Sequence, residues 1–127
     1  MLKTLCDTVT HPMQLFMVEL AVADWVASVA WYRDRLGLRV ALRDEANQFA
    51  LLEAAGGGRI ALKAGTQQPS GVTVHFQVAD LSAEMTRLGI TSEPKTSPEG
   101  YRRAIVPDPD GYAIVLFEWV SPFPESG

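Results

Sequence analysis

Two stretches of the chain alternate apolar and polar positions in the same way. In FMVELAVAD, which ends at Asp24, every second position from Val18 to Val22 is apolar. In GVTVHFQVAD, which ends at Asp80, the same holds from Val74 to Val78. A period of two predicts a strand with one apolar face and one mixed face. Because both copies run through the same V-A-D motif, the chain contains an internal repeat.

A helix is predicted after each repeated strand. The aspartate that ends the strand stands where a helix N-cap residue belongs. Apolar residues then recur at helical spacing, and Gly37 and Gly89 are natural C-terminal stops. Shorter alternating runs follow, joined by the turn sequences Gly56–Gly58 and Asp108–Gly111, which suit antiparallel strands. Each copy is therefore predicted to be a β-α-β-β-β module, and the fold class to be α+β.

The same pattern divides the chain into five segments. We predict an N-terminal arm (1–14), a first βαβββ module (15–65), a linker (66–71), a second βαβββ module (72–120) and a flexible tail (121–127). The linker TQQPSG and the Pro-rich tail SPFPESG have the composition of irregular segments.

Each predicted sheet has one face for its helix and one face left open. The apolar positions expected under the helices are Val18, Leu20, Val22, Ile60, Leu62, Val74, Phe76, Val78, Ile114 and Leu116. The opposite side, called the open face below, would present Met17, Glu19, Ala21, Arg59, Ala61, Lys63, Thr73, His75, Gln77, Ala113, Val115, Phe117 and Trp119. An apolar surface with a few polar groups is typical of a small-molecule pocket. The alternative is that these residues pack the two modules against one another.

Charge and composition narrow the classes of partner. A net charge of −4 and a pI of about 5.1 give no basic face for nucleic acid or anionic membranes. The longest apolar stretch, Phe16 to Tyr32, is interrupted by Glu19 and Asp24, so no membrane span is predicted. The first residues, MLKTLCDTVTHPMQ, have no apolar core and no small-residue cleavage site, so no signal peptide is predicted. The single cysteine, Cys6, fits a reducing cytoplasm. Small molecules and other proteins remain as partners.

Four motifs in this order resemble the vicinal oxygen chelate superfamily, which includes glyoxalases, extradiol dioxygenases and bleomycin resistance proteins. They are the first V-A-D, the helix end WYRDRLGL (Trp31 to Leu38), the second V-A-D and the D-P-D-G turn (Asp108 to Gly111). The resemblance extends from about Phe16 to Trp119. It implies that the paired modules form a cupped mixed sheet, usually in a homodimer with cavities where modules meet.

The resemblance also implies where a metal would bind. Enzymes of this superfamily hold a divalent metal with His, Glu or Gln at set positions, which here correspond to Met17, Ala61, Thr73 and Val115. These side chains do not together supply the oxygen or imidazole donors that such ions require. We therefore expect no metal and no other cofactor; the alternative is a divalent metal held by displaced ligands. Glu118, on the last strand, alternates with the open-face residues and is therefore expected to point to the helix side, with Ile114 and Leu116.

Two further residues could bind a metal or take part in catalysis. Glu19 and His75 each precede their capping aspartate by five positions and both belong to the open face. They lie roughly 6.6 Å along the strand from the metal positions that the resemblance implies. They are candidates for a displaced metal site, for a catalytic acid/base pair, or for a structural ion pair that orients the dimer.

Two functional hypotheses follow. The first is a metal-free binding protein whose cup takes up an aromatic or apolar small molecule at the module or dimer interface. The second is a divalent-metal-dependent lyase, isomerase or dioxygenase with displaced ligands, and the sequence leaves the enzyme question open. The predicted ligand-binding residues are Met17, Glu19, Arg59, Thr73, His75, Gln77, Val115, Phe117 and Trp119.

Overall fold

The computed structural model describes residues 13–98 and 100–120. The predicted tail at 121–127 lies outside the described residues, as does the predicted arm up to residue 12. Cys6 therefore also lies outside them. None of the helices in the described ranges is long and apolar enough to cross a membrane.

Both predicted βαβββ modules are present. The first consists of β1 (Val18–Val22), α1 (Trp25–Asp34), β2 (Arg39–Asp44), β3 (Phe49–Glu53) and β4 (Arg59–Ala64). The second consists of β5 (Thr73–Gln77), α2 (Leu81–Leu88), β6 (Lys95–Thr96), β7 (Tyr101–Pro107) and β8 (Ala113–Trp119). The α+β fold class is confirmed.

The two sheets have the same topology. Their strand orders are β1-β4-β3-β2 and β5-β8-β7-β6, each with a parallel first pair and antiparallel pairs beyond it. The repeat is kept in the register, since Glu19 lies opposite Ala61 and His75 opposite Val115. Equivalent residues of the two modules therefore occupy equivalent positions on the two open faces.

Both helices begin as the sequence predicts. The side chains of Asp24 and Asp80 each accept a hydrogen bond from the backbone N–H three residues later, at 3.1 Å. Helix α2 ends at Gly89, whose φ of 72° is left-handed. Helix α1 is regular as far as Asp34, and Arg35 N–H still bonds to the carbonyl of Trp31 four residues earlier. Leu36 N–H then shares that carbonyl at 3.4 Å, and Gly37, the predicted stop, has a left-handed φ of 80°.

The helix sides of both sheets share one apolar core. Leu20, Leu62 and Ile114 are buried in it, as predicted, and Val74, Phe76 and Val78 are partly buried against it. Val18 does not follow the prediction, since it is 47% exposed. It is the first residue of the edge strand β1 and lines an open cleft between the modules, so α1 does not cover it.

The D-P-D-G turn joins the second module to α1. Asp110 accepts hydrogen bonds from the backbone N–H of Ala23 at 2.8 Å and from Ser28 Oγ at 2.9 Å. The buried carboxylate of Asp108 accepts one from Tyr32 Oη at 2.6 Å. This turn therefore ties α1, which packs on the first sheet, to the second module, which is a structural role.

Candidate functional site

Four aromatic side chains cluster on the open face of the second sheet. They are His75 on β5, Tyr101 on β7, and Phe117 and Trp119 on β8, and are called the aromatic wall below. Ring centroids lie 5.6 Å apart for Phe117–Trp119 and for Tyr101–Trp119, and 5.7 Å apart for Tyr101–Phe117. His75 lies 6.4 Å from Phe117. All four pairs meet edge to face, and together they line a cleft of about 140 Å³.

The strand register explains why these rings meet. Phe117 and Trp119 are two positions apart on β8 and so point to the same side of the sheet. Tyr101 lies directly opposite Trp119 in the β7–β8 hairpin. Tyr101 is not among the residues predicted from the sequence, although the hairpin turn at Asp108–Gly111 sets the pairing of Pro107 with Ala113 and hence of Tyr101 with Trp119.

The other predicted residues of the second sheet lie around the aromatic wall. Gln77 is exposed and lies opposite Phe117, while Thr73 is exposed and lies opposite Ala113. Val115 lies opposite His75 and is fully buried. Glu118 faces the other way, because its Oε1 accepts a hydrogen bond of 2.7 Å from the backbone N–H of Leu81 at the start of α2.

The predicted residues of the first sheet are engaged differently. Arg59 donates from Nε to Glu53 Oε2 at 3.0 Å, and its guanidinium lies 4.7 Å from the ring centroid of Phe16. Arg39 binds the other oxygen of Glu53. Hydrogen bonds from Arg59 and then from Arg39 hold the pKa of Glu53 below its usual range. The charge of Arg59 is thus shared with a carboxylate of its own sheet.

Glu19 and His75 lie on separate sheets. Glu19 is exposed on β1 and His75 is exposed on β5. The two side chains form no ion pair with each other within the chain, and among the described residues Glu19 has no ion pair at all. A displaced metal site, an acid/base pair and a dimer-orienting ion pair all remain predictions for these two residues.

The four positions that a metal would use do not fit one. Met17 is half-buried and Thr73 is exposed, while Ala61 and Val115 are fully buried at the centres of the two sheets. Within residues 13–98 and 100–120, no group of three or more His, Cys, Asp or Glu side chains comes together. The donors at these positions are therefore unsuited to Mg²⁺, Mn²⁺ or Zn²⁺.

A second cavity lies where the modules meet. It has a volume of about 300 Å³ and runs between β1, β4 and β5. Three predicted ligand-binding residues line it, namely Arg59, Thr73 and His75. Its walls also include Val18 and Leu20 from the helix side of β1, so it lies beside the open face rather than on it. His75 is the one residue that lines both this cavity and the cleft of the aromatic wall.

Comparisons with known proteins agree with the architecture. The family model described as Glyoxalase/Bleomycin resistance protein/Dioxygenase superfamily matches residues 14–116. A glyoxalase/bleomycin resistance protein/dioxygenase from Nocardioides is 25% identical, with a TM-score of 0.72 over 94% of this chain and 92% of that one. No curated protein sequence matches the chain.

Two other solved structures share the fold. A protein of unknown function from Agrobacterium tumefaciens is 26% identical, with a TM-score of 0.67 over 85% of this chain and 95% of that one. A lactoylglutathione lyase from the same organism is 17% identical, with a TM-score of 0.69 over 85% and 95% of the two chains. At that identity the lyase supports the fold alone.

Proposed function

The chain belongs to the Glyoxalase/Bleomycin resistance protein/Dioxygenase superfamily, and we propose that within it the protein binds an aromatic or apolar small molecule without a metal. The binding surface is the aromatic wall on the open face of the second sheet.

The observation that carries the proposal is the packing of the wall itself. Tyr101, Phe117 and Trp119 meet edge to face on a sheet surface that neither α1 nor α2, the helices of the described residues, covers. A planar ligand stacked against such rings gains about 0.5–1.5 kcal/mol per aromatic contact beyond the burial of its surface. The imidazole of His75, itself part of the wall, and the amide of Gln77, opposite Phe117, supply polar contacts.

The donor set supports binding without a metal. Lyases and dioxygenases of this superfamily use the metal as an electrophile, and that role needs several oxygen or imidazole ligands at one point. The corresponding positions here are Met17, Ala61, Thr73 and Val115. Of the neighbouring candidates, Glu19 and His75 belong to different sheets and provide two donors at most from one chain.

We also propose that the protein acts as a homodimer. Leu42 pairs with Leu51, which pairs with Ala61 on the first open face, and it is 53% exposed. Ile105 pairs with Val115 on the second open face and is 49% exposed. A second copy that covers these side chains would also deepen the cleft beside the aromatic wall, because Ile105 lies opposite Val115 next to it. A small molecule and a second copy are the partners we propose; the acidic net charge disfavours nucleic acid and anionic membranes. The single cysteine fits the cytoplasm.

The first experiment measures metal content by plasma mass spectrometry on untagged protein purified without chelator. It is repeated after incubation with Mn²⁺, Ni²⁺, Zn²⁺ and Co²⁺ followed by desalting. We expect less than about one metal per ten chains in every condition, since the donors do not fit. Stoichiometric metal that disappears in Glu19→Ala or His75→Ala would instead support the metal-dependent enzyme.

The second experiment tests the aromatic wall by a ligand screen read through tryptophan fluorescence. We expect ligands to change the emission of the wild-type protein and of Phe49→Ala, which truncates an aromatic side chain on β3 of the first sheet. Phe117→Ala should lower the affinity for the same ligands by about tenfold, given the usual energy of a lost aromatic contact. Equal affinity in both variants would contradict the proposed site.

A further inference from the structure

Two cations lie beside the aromatic wall, and they indicate the charge of its ligand. We propose that the bound molecule carries a carboxylate next to its aromatic ring, and that Arg103 with Lys95 binds this carboxylate. The inference rests on the proposed function, because the ring must occupy the aromatic wall for the carboxylate to reach these cations.

The register places both cations on the same face as the rings. Arg103 on β7 lies directly opposite Phe117 on β8, and Lys95 on β6 lies directly opposite Arg103. Side chains that face each other across antiparallel strands have Cβ atoms about 4.5–5.5 Å apart. Phe117, Arg103 and Lys95 therefore form a continuous row that leads from the rings to the edge of the sheet.

Neither cation forms an ion pair with the residues that the structure describes. Glu93 lines a cleft of about 150 Å³ together with Lys95 and Arg103, but it forms no ion pair with either. On the first sheet, by contrast, Arg39 and Arg59 share Glu53. The cations beside the wall therefore have charge available for a ligand.

The strands of the second sheet carry almost no opposing charge. Their single acidic residue is Glu118, and its carboxylate faces α2, where it binds the N–H of Leu81. On the open face, the strands of the second sheet thus carry the cations Lys95 and Arg103 and no carboxylate, although the chain has a net charge of −4. A local field of this kind attracts an anionic ligand and disfavours a cationic one.

The size of the cleft agrees with a single ring. Its volume of about 140 Å³ is close to the ~150 Å³ of a protein cavity that holds one benzene molecule. A guanidinium binds a carboxylate through two parallel hydrogen bonds, a geometry that a flat sheet-mounted arginine can adopt. An aryl carboxylate with a short spacer matches the ring cleft and the adjacent cation.

The test uses three probes with the same ring and different charge, namely phenylacetate, phenylacetamide and 2-phenylethylamine. Their affinities are measured by NMR titration of the ¹⁵N-labelled full chain at low salt. We expect phenylacetate to bind about three- to tenfold more tightly than phenylacetamide, as an exposed charge-assisted contact allows, and the amine to bind most weakly. In the wild-type protein, raising the NaCl concentration should reduce this preference for phenylacetate, because salt screens the charges.

Arg103→Gln should lower the preference for phenylacetate below about twofold while leaving the affinity for phenylacetamide nearly unchanged. Arg103→Lys should keep part of it. The control is Lys63→Gln, which removes a cation from the first sheet, where Lys63 Nζ donates to the carbonyl of Asn47; here the preference should persist.

The outcomes separate the two proposals. If phenylacetamide binds as tightly as phenylacetate, or if Arg103→Gln keeps the full preference, the carboxylate inference is overturned and the aromatic wall stands. If none of the three probes binds, or if Phe117→Ala binds all three unchanged, the proposed function is overturned together with the inference.

Discussion

Tyr32 Oη donates a hydrogen bond of 2.6 Å to Asp108 Oδ2, and the two residues belong to different modules. Both side chains are buried. Asp108 Oδ1 also accepts from the backbone N–H groups of Asp110 and Tyr112, at 2.9 and 2.8 Å. The carboxylate therefore organises its own D-P-D-G turn and holds helix α1 at the same time. The turn thus forms the joint between the two modules.

Removing the phenol should weaken this joint. Tyr32→Phe leaves one oxygen of a buried carboxylate without its hydroxyl donor, so we expect the free energy of unfolding to fall by about 1–3 kcal/mol. The measurement is urea denaturation followed by circular dichroism. Tyr101→Phe is the matched control, because Tyr101 lies on the open face and the loss of its hydroxyl should change stability little. Equal stability of wild type and Tyr32→Phe would show that the bond contributes nothing.

The same bond predicts a dependence of stability on alkaline pH. Burial, and then the hydrogen bond to Asp108, raise the pKa of Tyr32 well above its usual value. The unfolded chain therefore releases this proton at a lower pH than the folded chain, so the contribution to stability is complete below about pH 10 and falls as the pH rises further. Unfolding free energies between pH 9 and 11 should fall more steeply in the wild type than in Tyr32→Phe.

Glu53 should make stability depend on pH in the acidic range. Its pKa is lowered by hydrogen bonds from Arg59 and Arg39, so its contribution to stability is present above its unfolded pKa and is lost as the pH falls through the folded value. An NMR titration of the side-chain carboxyl should show Glu53 ionising below the usual range of glutamate. Arg59→Gln should move that pKa upward more than Arg39→Gln, and the reverse order would contradict the assigned geometry.

The contacts of Asp110 with the N-terminus of α1 should contribute to stability. Its carboxylate accepts from the N–H of Ala23 and from Ser28 Oγ, so Asp110→Ala removes two hydrogen bonds across the modules. We expect a loss of about 1–2 kcal/mol in unfolding free energy, similar to the loss of a helix cap. Glu45→Ala, an exposed acidic residue outside this joint, should cost much less in the same urea experiment.

The sequence predicts the modules well because each signal is local. Asp80 and Gly89 bound a helix by hydrogen bonds and backbone geometry that the neighbouring residues alone determine. The deviations have tertiary causes. Val18 is exposed because it begins an edge strand, and Arg59 is engaged by Glu53 across a strand pair, a contact that depends on register. Tyr101 joins the aromatic wall through the hairpin register as well.

The open faces predict how two copies associate. Leu42 and Ile105 present exposed apolar side chains on the two sheets, so a charge at either position should oppose a dimer that buries these faces. We expect light scattering after size exclusion to give twice the chain mass of 13.9 kDa for the wild type and a shift toward the single-chain mass for Leu42→Glu and Ile105→Glu. Val26→Glu is the control, because Val26 is similarly exposed, at 57%, but lies on helix α1. A dimer that Val26→Glu disrupts and the other two leave intact would place the interface on the helices, and the open face would then have to bind its ligand without a second copy.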